Sequence, residues 1–161
     1  MTPAKLLPLL FMFTSLSTVA QIGDDFKLPE TWAKDFTISL SYHGSMGGGK
    51  TNVMFTFDSC TYLSEPNRYK KTQVKFRKYK MKEADRIAIL KKLTELKADQ
   101  IKSEGSVHAV RDGWSQSVCF GFHCIEGGTS AEMSEKDKNL FLDAYRYLEE
   151  FAIKKAGRLA L

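Results

Sequence analysis

Apolar and polar residues alternate over two neighbouring stretches near the start of the chain. Phe36, Ile38, Leu40 and Tyr42 alternate with Thr37, Ser39 and Ser41, and further on Val53, Phe55 and Phe57 alternate with Asn52, Met54, Thr56 and Asp58. A period of two sends successive side chains to opposite faces of a strand, so each stretch predicts a strand with one buried face. The glycine-containing connection between them predicts a β-hairpin. Thr61 to Asn67, with Ser64, Pro66 and Asn67, reads as a turn cluster, and Tyr69 to Met81 resumes extended character with Val74 and Phe76 among lysines. The period then changes. From about Lys82 to Lys102 there is no Gly or Pro, and Ile89, Leu90, Leu93 and Leu96 recur at helical spacing, so a helix is predicted that Gly105 stops.

Val107 to Val110 and Gln116 to Ile125 flank Arg111, Asp112, Gly113 and Trp114, and Asp-Gly is a strong hairpin-turn dipeptide. In the longer arm the alternation places Val118, Phe120, Phe122 and Cys124 on one face, with Cys119, Gly121 and His123 on the other. Gly127 and Gly128 end it. Ser134 followed three residues later by Asp137 resembles a capping box, and a last helix to about Lys155 carries an apolar stripe of Phe141, Ala144, Tyr145, Leu148, Phe151 and Ala152. The predicted order is β-β-β-α-β-β-α. It implies an α+β domain with a single antiparallel sheet of about five strands and both helices packed on one face.

The first residues change the picture of where that domain resides. Lys5, an apolar stretch from Leu6 to Phe13 and the small residues Thr18, Val19 and Ala20 read as an export signal over residues 1–20. An irregular lead-in over 21–35, containing Trp32, precedes the α+β domain at 36–157. The expected location is periplasmic or extracellular, with no transmembrane segment after signal cleavage.

Charge adds a local feature. The formal net charge is +5, yet Arg68, Lys70, Lys71, Lys75, Arg77, Lys78, Lys80 and Lys82 all fall within one stretch that contains no acid. Cations interleaved with Tyr69, Phe76 and Tyr79 on a strand suit an anionic glycan or lipid surface. The plainer reading is that lysines on an edge strand prevent sheet-to-sheet aggregation. Nucleic acid is disfavoured, because no second basic element completes a groove.

Residues Gly44 to Thr51 match the phosphate-binding pattern G-x-x-x-x-G-K-[ST] letter for letter. Such a loop requires a helix directly after it, whose N-terminal amides help surround the phosphates. Thr51 leads instead into an alternating β-branched and aromatic run, so the letters are read as a hairpin loop and no nucleotide is expected. Ser45, Met46, Gly47, Gly48 and Lys50 then become candidate ligand contacts at a hairpin tip, beside Lys75, Arg77 and Lys78 on the basic strand.

Three cysteines in an exported chain allow one disulfide. If residues 116–125 form one continuous strand, Cys119 and Cys124 lie roughly 16 Å apart, beyond disulfide reach. Any disulfide then involves Cys60, and face parity favours Cys60 with Cys119, leaving Cys124 as a core thiol. The same extended geometry separates Cys119, His123 and Cys124, so neither a metal, a cofactor nor a catalytic residue is expected.

The pattern resembles that of the emfourin-like proteins. The residues that carry the resemblance are Ser45 to Gly49 after the first strand, the Leu90 to Leu96 helix, Arg111 to Gly113 and the Leu140 to Leu148 helix. The resemblance implies a non-enzymatic domain that inhibits metallopeptidases. This chain departs from it in its basic segment, its three cysteines and its signal-like start. The leading expectation is therefore a non-catalytic exported domain that binds a protein, peptide or cell-envelope ligand, with peptidase inhibition and polyanion binding as alternatives.

Overall fold

The two alternating stretches fold into paired antiparallel strands, β1 (Ile38–His43) and β2 (Lys50–Phe55). A computed structural model describes residues 26–45, 47–69, 73–105, 113–129 and 131–157. The signal-like segment, Met46 and the predicted Val107 to Asp112 turn region therefore lie outside the described residues. After β2 come β3 (Ser59–Glu65), β4 (Lys75–Lys80), α1 (Glu83–Glu95), a 3-10 turn at Ala98–Gln100, β5 (Glu104–Gly105), β6 (Ser115–Phe120), β7 (His123–Gly128), β8 (Ala131–Glu132) and α2 (Glu135–Gly157). Six strands form one sheet in the order β4-β3-β2-β1-β6-β7, and β5 pairs with β8 separately. Every pairing is antiparallel.

The register places Ile38 and Leu40, Val53 and Phe55, Cys60, Tyr79, Val118 and Phe120, and Ile125 on one face, and all are buried. Ile89, Leu90 and Leu93 of α1 join the same core, as do Phe141, Ala144, Tyr145, Leu148 and Ala152 of α2. The apolar stripe of the last helix is thus buried as its spacing predicts, except that Phe151 is only half-buried, and each large buried side chain such as Phe141 contributes about 1.5–3 kcal/mol. Ser134 starts α2 as a cap: its hydroxyl accepts from Asp137 N at 3.1 Å and donates to Asp137 Oδ2 at 2.5 Å. Trp32 lies down on the domain, with its Nε1 donating to Phe36 O at 2.8 Å.

Three expectations are corrected. Among the described residues the sheet has six strands rather than about five: two strands fall where a turn and half of a single strand are predicted, while the predicted Val107 to Val110 strand lies outside the described residues. Thr61 to Glu65 belongs to β3, since a short turn at Thr56, Phe57 and Asp58 reverses the chain first; Thr56 N donates to Ser59 O at 2.8 Å and Ser59 N donates to Thr56 Oγ1 at 3.0 Å. The predicted 116–125 arm is two strands folded at Gly121 and Phe122, where Gly121 has φ +60°. A two-residue loop with glycine first is the type II′ hairpin connection. Finally, α1 ends at Glu95 and not near Lys102. Lys97 takes the left-handed conformation at φ 53°, and Leu96 N and Lys97 N close the helix on Lys92 O and Thr94 O.

Candidate functional site

The glycine tip is a closed, hydrogen-bonded turn between β1 and β2. Gly44 N donates to Gly49 O at 3.0 Å, Gly48 N to Ser45 O at 2.7 Å, and Arg68 N to Gly47 O at 3.0 Å. Only Gly47, at φ +85°, needs glycine for its backbone angle. At Gly48 and Gly49 the need is space: a Cβ on Gly48 would stand 2.7 Å from Gly44 Cα, and one on Gly49 would stand 2.9 Å from Glu65 O. Backbone approach thus accounts for these glycines. Lys50 and Thr51 open β2, where they pair with His43 and Tyr42 on one side and Glu65 and Ser64 on the other. The helix that a phosphate-binding loop leads into is replaced by a strand, as the alternation after Thr51 predicts.

The hydrogen bond from Arg68 to Gly47 joins the two features that the sequence singles out separately. It docks the loop that leads into the basic strand onto the glycine tip, so Ser45, Gly47, Gly48 and Lys50 share one end of the sheet with Arg68, Tyr69 and Lys75. Arg77 and Lys78 continue along β4, which is the edge strand. Five of its six residues are exposed and only Tyr79 is buried. Adjacent strand residues face opposite ways, so Lys78 and Lys80 share the open face with Phe76, while Lys75 and Arg77 lie on the Tyr79 side. No single surface collects all of these cations; what they flank in common is the edge itself.

A patch on the open face went unread in the sequence. Phe76, which is 56% exposed, pairs directly with half-buried Leu63, and Met54 lies on the same face two strands in, beside Thr61 and Lys78. The period-two pattern of each strand carries the signal, but joining the three apolar residues requires the register between strands. Phe122 was also missed: it is fully exposed at the β6–β7 turn rather than part of a buried face.

Folding of that turn overturns the expected disulfide. Cys119 and Cys124 are directly opposed in the β6–β7 ladder, with Cα atoms 4.0 Å apart, and they are bonded to each other. The expected Cys60–Cys119 bond does not form. The Thr56–Asp58 turn breaks the parity count that placed Cys60 on the open face, and Cys60 is instead the fully buried core thiol. Burial pushes its pKa up to about 12, with the Tyr79 hydroxyl pulling the other way. A buried, protonated thiol is a small hydrophobe rather than a nucleophile.

His123 faces the core beside Phe120 and stacks on Phe26 with ring centroids 4.5 Å apart. Burial lowers its pKa against an opposing pull from Asp99, and its Nε2 is buried without a hydrogen-bond partner among the described residues. Asp85, at the start of α1, accepts from Lys82 N at 3.0 Å and pairs with Lys155 of α2. Desolvation raises the Asp85 pKa, but the Lys155 ammonium and the Lys82 amide outweigh it and hold the carboxyl below its usual range.

No protein-family model matches the chain, and no curated protein matches it in sequence. Among the described residues, no helix is long and apolar enough to cross a membrane, and no group of His, Cys, Asp and Glu comes together in a way suited to holding a metal ion.

Proposed function

We propose that the chain is a non-catalytic exported domain that holds a negatively charged protein, peptide or cell-envelope ligand at the basic edge of its sheet. The observation that carries this reading is β4, a peripheral strand with Lys75, Arg77, Lys78 and Lys80 all exposed, whose Lys75 end lies beside the glycine tip. Export is supported by the Cys119–Cys124 disulfide, a bond that persists mainly in oxidising compartments. Retention on immobilised heparin and poly-glutamate tests the reading. The wild type is expected to bind in a salt-dependent manner, and the variant with Lys75, Arg77 and Lys78 changed to Ser is expected to elute early. A control with Lys91, Lys136 and Lys138 changed to Gln carries the same charge deficit away from the edge. Equal loss in both variants would show that net charge alone is responsible, and the proposed site would be withdrawn.

A second reading, peptidase inhibition, is favoured by the hydrogen bonds that brace Gly44, Ser45, Gly47 and Gly48 of the glycine tip before any partner arrives. Met46→Asp at that tip is expected to abolish inhibition of a susceptible metallopeptidase while leaving the circular dichroism spectrum unchanged. A wild-type chain that inhibits nothing across a peptidase panel removes this reading.

A further inference from the structure

The ladder between β3 and β4 fixes which backbone groups of the edge strand point outward. Met81 N donates to Asp58 O at 2.9 Å, in continuation of the β3–β4 register. Hydrogen-bonded pairs alternate in an antiparallel ladder, so Tyr79, Arg77 and Lys75 direct their N–H and C=O groups to β3, while Lys80, Lys78 and Phe76 direct theirs away from the sheet. Among the described residues, the hydrogen bond made to these outward groups is the one from Arg77 Nη1 to Phe76 O, at 2.8 Å. The amide and carbonyl of Lys78 and of Lys80 remain available along the edge.

From this geometry, and resting on the reading of β4 as the ligand site, we infer that the partner is an extended acidic polypeptide segment that adds to β4 as a seventh strand. Three observations converge on that occupant. The outward amides and carbonyls are spaced to receive another backbone, which supplies the affinity in recognition by strand addition. The cations of β4 alternate between the two faces, Lys78 and Lys80 on one and Lys75 and Arg77 on the other. A ligand lying on either face meets half of them, whereas a strand in the plane of the sheet meets both sets. Charge complementarity then selects the partner: Glu or Asp on the added strand comes opposite lysines, while a second copy of β4 would set its own cations against them. Thus the lysines that block pairing between identical edges leave the edge open to an acidic one.

The probe is a capped, fluorescently labelled peptide of repeating Glu-Glu-Glu-Val, which carries Glu on both faces of an extended strand, with binding to the full chain read by anisotropy. Two derivatives are N-methylated at alternate residues, one set along each edge of the extended peptide. Strand addition predicts that one derivative binds about tenfold or more weaker while the other binds like the parent, because only one edge faces β4. On the protein side, Lys78→Pro removes an outward N–H while sparing the ladder to β3, and Lys78→Thr removes the same charge without touching the backbone. Lys78→Pro is expected to weaken binding about tenfold beyond Lys78→Thr. If both methylated peptides bind like the parent, the ligand is held through side chains alone, and strand addition is overturned while the anionic-ligand reading stands. A parent peptide that fails to bind, although heparin retention persists, also overturns strand addition and points to a glycan. Loss of both signals removes both readings.

Discussion

The two edges of the sheet are finished in opposite ways. At β7 the chain covers its own edge: Glu126 N donates to Ser103 Oγ at 3.1 Å, β8 runs beside it, and the Cys119–Cys124 bond ties it to β6. At β4 only Tyr79 turns into the core, and the remaining positions meet solvent with four cations. An uncovered edge is a template for pairing with another chain. One edge is thus partly covered by the chain itself, at Glu126. The other is protected by charge, which excludes some partners and admits others.

The largest effect is expected where β4 is anchored from below. The strand runs through Met81 and Lys82 into α1, and Asp85 holds that junction by accepting from Lys82 N and pairing with Lys155. Asp85→Ala leaves Lys155 without its partner and is expected to cost about 3 kcal/mol in urea unfolding. The effect depends on pH with a definite sign. Because the folded-state pKa of Asp85 is lowered, its contribution is present in full above the unfolded carboxylate pKa of about 4 and is lost as the pH falls through the lowered value. Asp85→Asn should therefore narrow its gap from wild type as the pH drops from neutrality to strongly acidic. A gap that stays constant across that range would show that the ion pair contributes nothing.

A smaller effect is expected at the opposite edge. Replacing Cys119 and Cys124 together with Ala opens a short covalent loop and is expected to cost about 2 kcal/mol on the chain-entropy account. Hydrogen exchange separates this from the Asp85 case. Amides of β6 and β7 should lose protection in the double Ala variant while those of β3 and β4 keep it, and the reverse should hold for Asp85→Ala. Uniform loss in both variants would mean that the edges are not independent.

This asymmetry was half legible in the sequence. The basic run from Arg68 to Lys82 announces an edge strand, since such a density of lysines is incompatible with a strand buried between two others, and the strand lies at the edge. Closure of the other edge was hidden. Val118 to Ile125 alternates without a break, so the pattern reads as one strand, and only Gly121 marks the fold. Asp112-Gly113 carried a stronger local turn signal and drew the hairpin away from it. That single misplacement moved Cys124 and Phe122 to the wrong face, put Cys119 and Cys124 out of reach of each other, and sent the disulfide to Cys60. Parity reasoning fails in this way because each unrecognised turn resets the count for every residue after it. The helix stripe of α2 survived intact because a long 3.6-residue period tolerates errors at its ends.

The smallest expected change in stability carries the sharpest test of what the cations of β4 do. Lys78 and Lys80 are exposed and make no ion pair among the described residues, so changing both to Thr is expected to alter stability by no more than about 0.5 kcal/mol. Threonine suits a strand, and the outward amides and carbonyls stay where they are. What changes is the repulsion between two such edges. The double variant is expected to self-associate in sedimentation velocity runs at concentrations where the wild type stays monomeric, and its association should strengthen little with salt. The wild type should begin to associate only when salt screens its lysines. Changing Lys91 and Lys136 to Gln alters net charge equally and should leave the sedimentation coefficient untouched. If Lys78→Thr with Lys80→Thr remains a monomer throughout, the β4 edge is closed by something other than charge, and the contrast with β7 loses its basis.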